Sequence, residues 1–238
     1  MDLKIKDVAE LLSVSETTIR RWLTTGKIPA YKLNHQYRFS RIEIENWMLS
    51  CKVHSQDSKR ALGTEEQIYP IADEEGTQGS MGMQHFSLFR ALHRGEVLFE
   101  GEGRSKEEVI RKTMQLLAPN MGLDPDVISE LLIDRENLMS TAVNQGIAVP
   151  HARDFLLPSP LDSISVLFLK SPMDYGALDG RPVHTLFFLF SSSDKRHLHL
   201  LSKIAHLSSQ KDALEFLLTR PTKESLLSYI KRWETAIG

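Results

Sequence analysis

The sequence predicts a mixed α/β (α+β) protein in two units: a small N-terminal unit of short helices and a β-hairpin, and a larger body with a mixed central β-sheet flanked by helices. Three observations carry this reading. Charge is partitioned along the chain: residues 1–60 hold 11 Lys/Arg against 7 Asp/Glu, residues 61–82 hold 5 acidic residues and no basic one, and the 238 residues together sum to only −2. Residues 54–83 are polar, rich in Gly and Ser and free of sustained periodicity, which is linker composition. Beyond them, apolar runs of strand length alternate with helical patterns. The expected units are therefore a head at 1–53, a flexible linker at 54–83 and a body at 84–238.

Composition narrows the class. Hydrophobic residues make up 41% of the chain, enough for a packed core. No apolar run approaches the roughly 18 residues that span a bilayer, so no membrane insertion is expected. The first residues, Met1-Asp2-Leu3-Lys4, lack the apolar stretch of a secretory signal. The one cysteine, Cys51, has no partner for an intramolecular disulfide and no arranged base beside it. Cytoplasmic residence is expected, with Cys51 a passive residue at a domain edge.

In the head, Val8, Leu11 and Leu12 share one helical face. A three-residue connection, Ser13-Val14-Ser15, follows, and Ser15 is placed to cap a second helix over 16–23 with Ile19, Trp22 and Leu23 inward. Residues 28–33 and 37–39 pair as a hairpin around Asn34-His35-Gln36. A third helix over 41–48 turns Ile44 and Trp47 inward. In the body, 96–99 reads as a strand, and Ser105 starts a helix over 106–117 whose Glu107 and Glu108 favour its N-terminus. Asp124-Pro125 is a cap followed by a first-turn proline, opening a helix to about Arg135. Strands are expected at 147–149, 164–168 and 185–190, and helices at 197–208, 212–220 and 222–233, with Pro221 between the last two. Such a mixture implies helices on both faces of the sheet.

Two short helices joined by three residues, the second one basic, fit a helix-turn-helix. Thr17, Thr18, Arg20 and Arg21 then lie on the outer face of the recognition helix, where arginine pairs with guanine and threonine meets a thymine methyl or a phosphate. The hairpin adds Lys32, His35, Gln36 and Arg38, suited to backbone phosphates. The competing reading is a small helical domain with a solvated charged face. The run Val8-Ala9-Glu10-Leu11-Leu12-Ser13-Val14-Ser15, followed by Thr18-Ile19-Arg20-Arg21-Trp22 and Gly26-Lys27-Ile28-Pro29-Ala30, resembles the excisionase-type, MerR-related winged helix domain over about residues 3–50. That resemblance implies DNA as a partner. The wing turn departs from the usual glycine with basic residues, so few phosphate contacts are available per head and useful affinity calls for a homodimer on two half-sites.

The most informative segment of the body is Gly146-Ile147-Ala148-Val149-Pro150-His151-Ala152-Arg153. A short apolar strand runs into a proline that presents a histidine, with an arginine two residues on. A second histidine, His197, is expected to open an amphipathic helix 46 residues later. Neutral imidazole carries a lone pair that attacks phosphorus, and phosphoryl transfer needs positioning and charge stabilisation above all. Arg153 and Arg135 are the nearest cations in sequence. Other readings stay open on the residues alone: a surface histidine, or zinc held by His151, His197 and His199, although the spacing is unlike a usual ligand set. A serine hydrolase lacks its G-x-S-x-G turn. No metal or cofactor is expected.

The segments Asp134-Arg135-Glu136-Asn137-Leu138-Met139-Ser140-Thr141 and Asn144-Gln145-Gly146-Ile147-Ala148-Val149-Pro150-His151-Ala152-Arg153 resemble the IIA domain of the fructose/mannitol/nitrogen branch of the bacterial phosphotransferase system. Met173-Asp174-Tyr175-Gly176-Ala177-Leu178-Asp179-Gly180-Arg181-Pro182-Val183 and His197-Leu198-His199-Leu200-Leu201-Ser202 continue the likeness in order, over about residues 84–235. The last helix is most similar to the nitrogen-regulatory version. The resemblance implies that His151 accepts phosphate from the phosphocarrier protein HPr or its nitrogen-branch paralogue, that His197 assists, and that Arg135 lies near the active histidine beside Glu136. Joined to the head, it implies a phosphohistidine relay domain with a regulatory role in transcription. The alternatives are a sugar-uptake relay passing phosphate to a IIB domain, and a protein-binding adaptor that is not phosphorylated.

Overall fold

The computed structural model describes residues 2–12, 14–34, 36–50, 87–152 and 162–237. The expected linker, Cys51, His35 and Arg153 lie outside these residues.

The head follows its sequence closely. Helix α1 (Ile5–Leu12) buries Val8, Ala9 and Leu12, and α2 (Glu16–Thr24) buries Ile19 and Trp22. The Ser15 side chain accepts from the Thr18 backbone N–H, supplying the expected cap. Strands β2 (Tyr31–Leu33) and β3 (Gln36–Ser40) pair antiparallel, with Asn34 in the turn at φ +47°. Asparagine tolerates that left-handed conformation. A further strand, β1 (Asp2–Leu3), pairs on the other side of β3, which the sequence did not announce. Helix α3 (Arg41–Ser50) completes the head, with Ile44 and Met48 buried and Trp47 half-buried against the Lys27 carbonyl.

The body opens with α4 (Ser87–Arg94), also unannounced, then β4 (Val97–Gly101), α5 (Lys106–Leu117) and α6 (Pro125–Leu138). Ser105 and Asp124 cap α5 and α6 as expected. Strands β5 (Ala142–Asn144), β6 (Ile147–Ala148), β7 (Ser163–Met173) and β8 (Val183–Phe190) follow, then α7 (Asp194–Ser208), α8 (Lys211–Leu218) and α9 (Lys223–Ile237). Their sheet runs β4-β7-β8-β6-β5 and is mixed: β4 with β7 and β6 with β8 are parallel, whereas β7 with β8 and β5 with β6 are antiparallel. No described helix is long and apolar enough to cross a membrane.

Alternation along the central strands separates two cores. Ile164, Val166, Phe168, Phe187 and Leu189 face one side, with α4, α7, α8 and α9; Leu167, Leu169, Leu186, Phe188 and Phe190 face the other, with α5 and α6. Helices therefore cover both faces. The first core continues without a break into the head's Val8, Ile19 and Ile44, because α1 and α3 both pack on α7. Head and body share one apolar interior on that side.

The β5–β6 turn is a tight hairpin. Its two central residues, Gln145 and Gly146, have φ of +55° and +80°, the pattern of a type I′ hairpin. Asp179 accepts the Gln145 N–H at 2.7 Å and holds the turn from outside. A Cβ on Gly146 would come within 2.4 Å of the His184 ring. Gly146→Ala is expected to lose about 2–3 kcal/mol of stability, from a strained φ and the displaced imidazole together. Urea unfolding checks this, and a loss under about 0.5 kcal/mol, the scale of an ordinary surface change, would contradict it.

Candidate phosphoryl site

Strand β6 ends at Ala148, but its line continues. The Pro150 carbonyl accepts from Leu189 N–H at 3.0 Å, and His151 makes a further parallel bridge to Leu189 of β8. Proline costs the sheet a donor and leaves its carbonyl available. His151 is thus set at the end of a strand, as its sequence implies, and is buried. Its Nδ1 lies 2.7 Å from the Val149 carbonyl oxygen. A carbonyl only accepts, so Nδ1 carries the proton and donates. In the neutral ring Nε2 then holds the lone pair.

His197 meets this ring edge-on, with centroids 4.8 Å apart at 61°. It does not open its helix, as the sequence reading expected. Helix α7 begins three residues earlier, at Asp194 after the Ser193 cap, because Asp194-Lys195-Arg196 extend the helical turn. His197 occupies the first turn, with Nδ1 3.1 Å from the Ser191 hydroxyl. His199 points elsewhere, its Nε2 2.8 Å from Ser87 Oγ, and takes no part in the site.

Arg135, in the last turn of α6, is 1% exposed. Its guanidinium donates to the Met139 carbonyl at 2.9 Å and reaches the site with Nη2. The neighbouring Glu136 faces away from the histidines. Its carboxylate accepts the Thr141 N–H at 3.1 Å and pairs with Lys106 at 3.2 Å, tying the end of α6 to the start of β5. Glu136 anchors the end of the helix that carries Arg135 to the segment entering β5.

At the centre of these groups lies a residue from the head. Glu45 of α3 is 3% exposed. One of its oxygens is 3.6 Å from His151 Nε2 and 3.5 Å from Arg135 Nη2; the other is 3.8 Å from His197 Nε2 and accepts from Arg41 Nε at 2.9 Å. Arg41 also pairs across the interface with Asp194 of α7. The sequence reading passed over Glu45. The one local signal was a charge on the helix face that also carries Arg41 and the buried Met48, at spacings of four and three. Nothing in the chain's order says which surface such a face meets.

The electrostatics favour negative charge here. Burial pushes the Glu45 carboxyl up, but His151, His197 and Arg41 more than offset it and hold the group far below the usual carboxylate range. Burial also drives the His197 pKa well below its usual value, with repulsion from His151, Arg41 and Arg135 outweighing attraction to Glu45. Glu45, His151 and His197 bring one ligand atom each within 4.8 Å of one another, so the three are able to hold a metal ion. Two guanidiniums against the same carboxylate make the pocket a better fit for an anion than for a cation.

The head's other candidates lie away from this pocket's chemistry. Thr17, Arg20, Arg21 and Lys32 are exposed. Thr18 is half-buried, with its hydroxyl 3.0 Å from Ser15 Oγ. Arg38 is half-buried and donates to Gln36 Oε1 at 2.7 Å and to the Tyr37 carbonyl.

The His197 shift has a pH consequence. A histidine whose folded pKa lies below its unfolded value near 6.5 is bound to fewer protons in the folded state. Stability is then full above about pH 6.5 and falls as pH drops below it, by up to about 1.4 kcal/mol per pH unit. Urea midpoints between pH 7.5 and 5.5 are expected to fall more steeply for the wild type than for His197→Gln. Parallel slopes would contradict the assignment.

Comparison with known proteins adds to this geometry. Residues 91–233 match the family model "Phosphoenolpyruvate-dependent sugar phosphotransferase system, EIIA 2", and residues 3–52 match a helix-turn-helix domain model. A nitrogen regulatory protein of Pseudomonas aeruginosa is 36% identical over 146 residues, covering 60% of this chain and 94% of that protein. The nitrogen regulatory protein of Escherichia coli K12 is 32% identical over 130 residues, covering 53% and 78% respectively. Among solved structures, nitrogen regulatory protein IIA-Ntr of Neisseria meningitidis is similar with a TM-score of 0.51 and 30% identity, over 59% of this chain and 92% of that one.

Proposed function

The chain belongs to the phosphoenolpyruvate-dependent sugar phosphotransferase system EIIA 2 family, and from that premise we propose that its body accepts a phosphoryl group on His151 Nε2 from a phosphohistidine carrier of the HPr type. The observation that carries the reading is the Nδ1 contact to the Val149 carbonyl, which leaves Nε2 as the nucleophile among groups that favour an anion. The Nε2 lone pair forms a new N–P bond as the donor's N–P bond breaks, and the released electron pair stays on the donor's imidazole nitrogen. The Nδ1 proton remains on His151, held by Val149. The ring's positive charge in the product is balanced by the phosphoryl group it carries.

The remaining roles follow from position. Arg135 stabilises charge on the phosphoryl oxygens, and at about 4 Å a guanidinium contributes about 4 kcal/mol at an effective dielectric near 20. His197 stays neutral, so it offers a hydrogen bond to the group without adding a cation to the pocket. Glu136 acts as support. Arg153 is proposed as a further supporting cation from its place two residues after His151.

The helix-turn-helix head supports a second half to the proposal: the chain binds DNA and serves transcriptional regulation, with 1–53 the DNA-binding domain, 54–83 the linker and 84–238 the phosphoryl domain. Thr17, Arg20, Arg21 and Lys32 are the side chains best presented for it, with Thr18 and Arg38 requiring rearrangement of their local contacts. A dimer on two half-sites suits so modest a basic surface. The nitrogen-regulatory character of the similar proteins favours regulation over delivery of phosphate to a IIB domain.

Labelled phosphocarrier tests the first half. His151→Ala is expected to take no label, and His197→Ala to label more slowly or to lose its label faster; full labelling of His151→Ala would remove the assignment. For the second half, Arg20→Ala with Arg21→Ala is expected to weaken DNA binding at least tenfold at 100 mM salt and to flatten its salt dependence by up to about two units of slope. Gel shifts across salt check this, and an unchanged slope would argue against phosphate or base contact by this helix.

A further inference from the structure

The position of Glu45 bears on when His151 can react. It is the one head residue placed at the nucleophile among the described residues, and it sits where an incoming group must arrive. In-line attack requires phosphorus about 3–3.5 Å from the nucleophile. A Glu45 oxygen already stands 3.6 Å from His151 Nε2, and the same carboxylate takes up the Arg135 guanidinium that a phosphoryl oxygen would engage. The His151 and His197 Nε2 atoms have no hydrogen-bond partner among the described residues, and both are directed at this carboxylate.

The contact is built into the interface from several elements. Arg41 holds Glu45 on its own helix and Asp194 on the body, and α1 and α3 pack on the helix that carries His197. The groups around the carboxylate are His151 from the β6 extension, His197 from α7, Arg135 from α6 and Arg41 from α3. All four favour negative charge or accept it without repulsion. The pocket suits an anion, and the head supplies one.

We propose that the head is a plug for the phosphoryl site: Glu45 occupies the place of the phosphoryl group, so that a docked head and a phosphorylated His151 exclude one another. This rests on the reading of His151 as the phosphoryl acceptor. Phosphoryl transfer then requires the head to leave, and the phosphoryl group, carrying close to two negative charges itself, takes the place and the Arg135 contact that the carboxylate would need for its return. The coupling is reciprocal: any partner that holds the head away from the body raises acceptance by His151 to the same degree that phosphorylation frees the head.

The test uses the full chain and labelled phosphorylated HPr, with labelling rates measured for wild type, Glu45→Gln and Arg41→Ala, and His151→Ala as the blank. Glu45→Gln keeps the shape of the side chain and removes its charge; Arg41→Ala loosens the clasp from the head's side and covers the case of a poorly folded first variant. Glu45→Gln is expected to label about tenfold faster than wild type, the gain that follows if the docked form holds about nine-tenths of the molecules. Hydrogen exchange over residues 41–50 is expected to be slow before labelling and fast after it. Equal labelling rates for all three proteins, or protection of 41–50 that survives labelling, would overturn the plug while leaving His151 as acceptor. No label on any protein would overturn the acceptor reading and the plug with it. A wild-type labelling rate that falls as protein concentration rises would assign the plugging carboxylate to a second copy of the chain and overturn the intramolecular form.

Discussion

A buried carboxylate is costly unless charge and hydrogen bonds compensate it, and Glu45 obtains both only where the head meets the body. Arg41 reaches it from its own helix; Arg135, His151 and His197 reach it from three separate elements of the body. Moving α3 by a few ångströms would leave an ionised group and two guanidinium-bearing side chains in an apolar interior without their partners. The position of the head is thus held both by these charges and by the apolar packing of α1 and α3 on α7. Inside the body, alternation on β7 and β8 sorts apolar side chains between two cores, and buried carboxylates such as Glu136 and Glu234 are likewise paired with lysines.

The same pocket explains how the histidine pair is tuned. The Val149 carbonyl fixes the His151 tautomer from one side, and the Ser191 hydroxyl orients His197 from the other. Both anchors come from strand ends of the central sheet, β6 and β8, whose parallel pairing sets their spacing. Arg135 is delivered by α6, and Glu136 beside it ties that helix end to β5 through Thr141. Adjacent residues on a helix point about 100° apart. This lets one serve the pocket while the other holds the loop.

Much of this was legible in the chain. Serine and aspartate caps at 15, 105 and 124, the strand-to-proline run ending in His151, and the apolar stretches of β7 and β8 all reflect local rules of spacing and hydrogen bonding, and the structure follows them. The start of α7 was misjudged because Asp194-Lys195-Arg196 carry no apolar periodicity, and a helix's first turn needs none when a serine caps it. Helix α4 and the short strands β1 and β5 escaped notice for related reasons. Helix α4 and β1 are held by partners distant in sequence, Glu234 and β3, whereas β5 is three residues of a local hairpin, too short to show a period.

The strand-end setting of His151 and the family the chain belongs to are properties of contiguous residues, so the order of amino acids was enough to specify them. The company His151 keeps is another matter. Glu45, Arg135, His151 and His197 follow one another at intervals of 90, 16 and 46 residues, and their meeting follows from sheet order and from the docking of one domain on another, which no local pattern encodes. A glutamate beside an isoleucine in a short helix reads as a solvated charge until the fold places four complementary groups around it. Only long-range packing and the cost of burying an uncompensated charge decided that this carboxylate would lie against His151, His197 and Arg135.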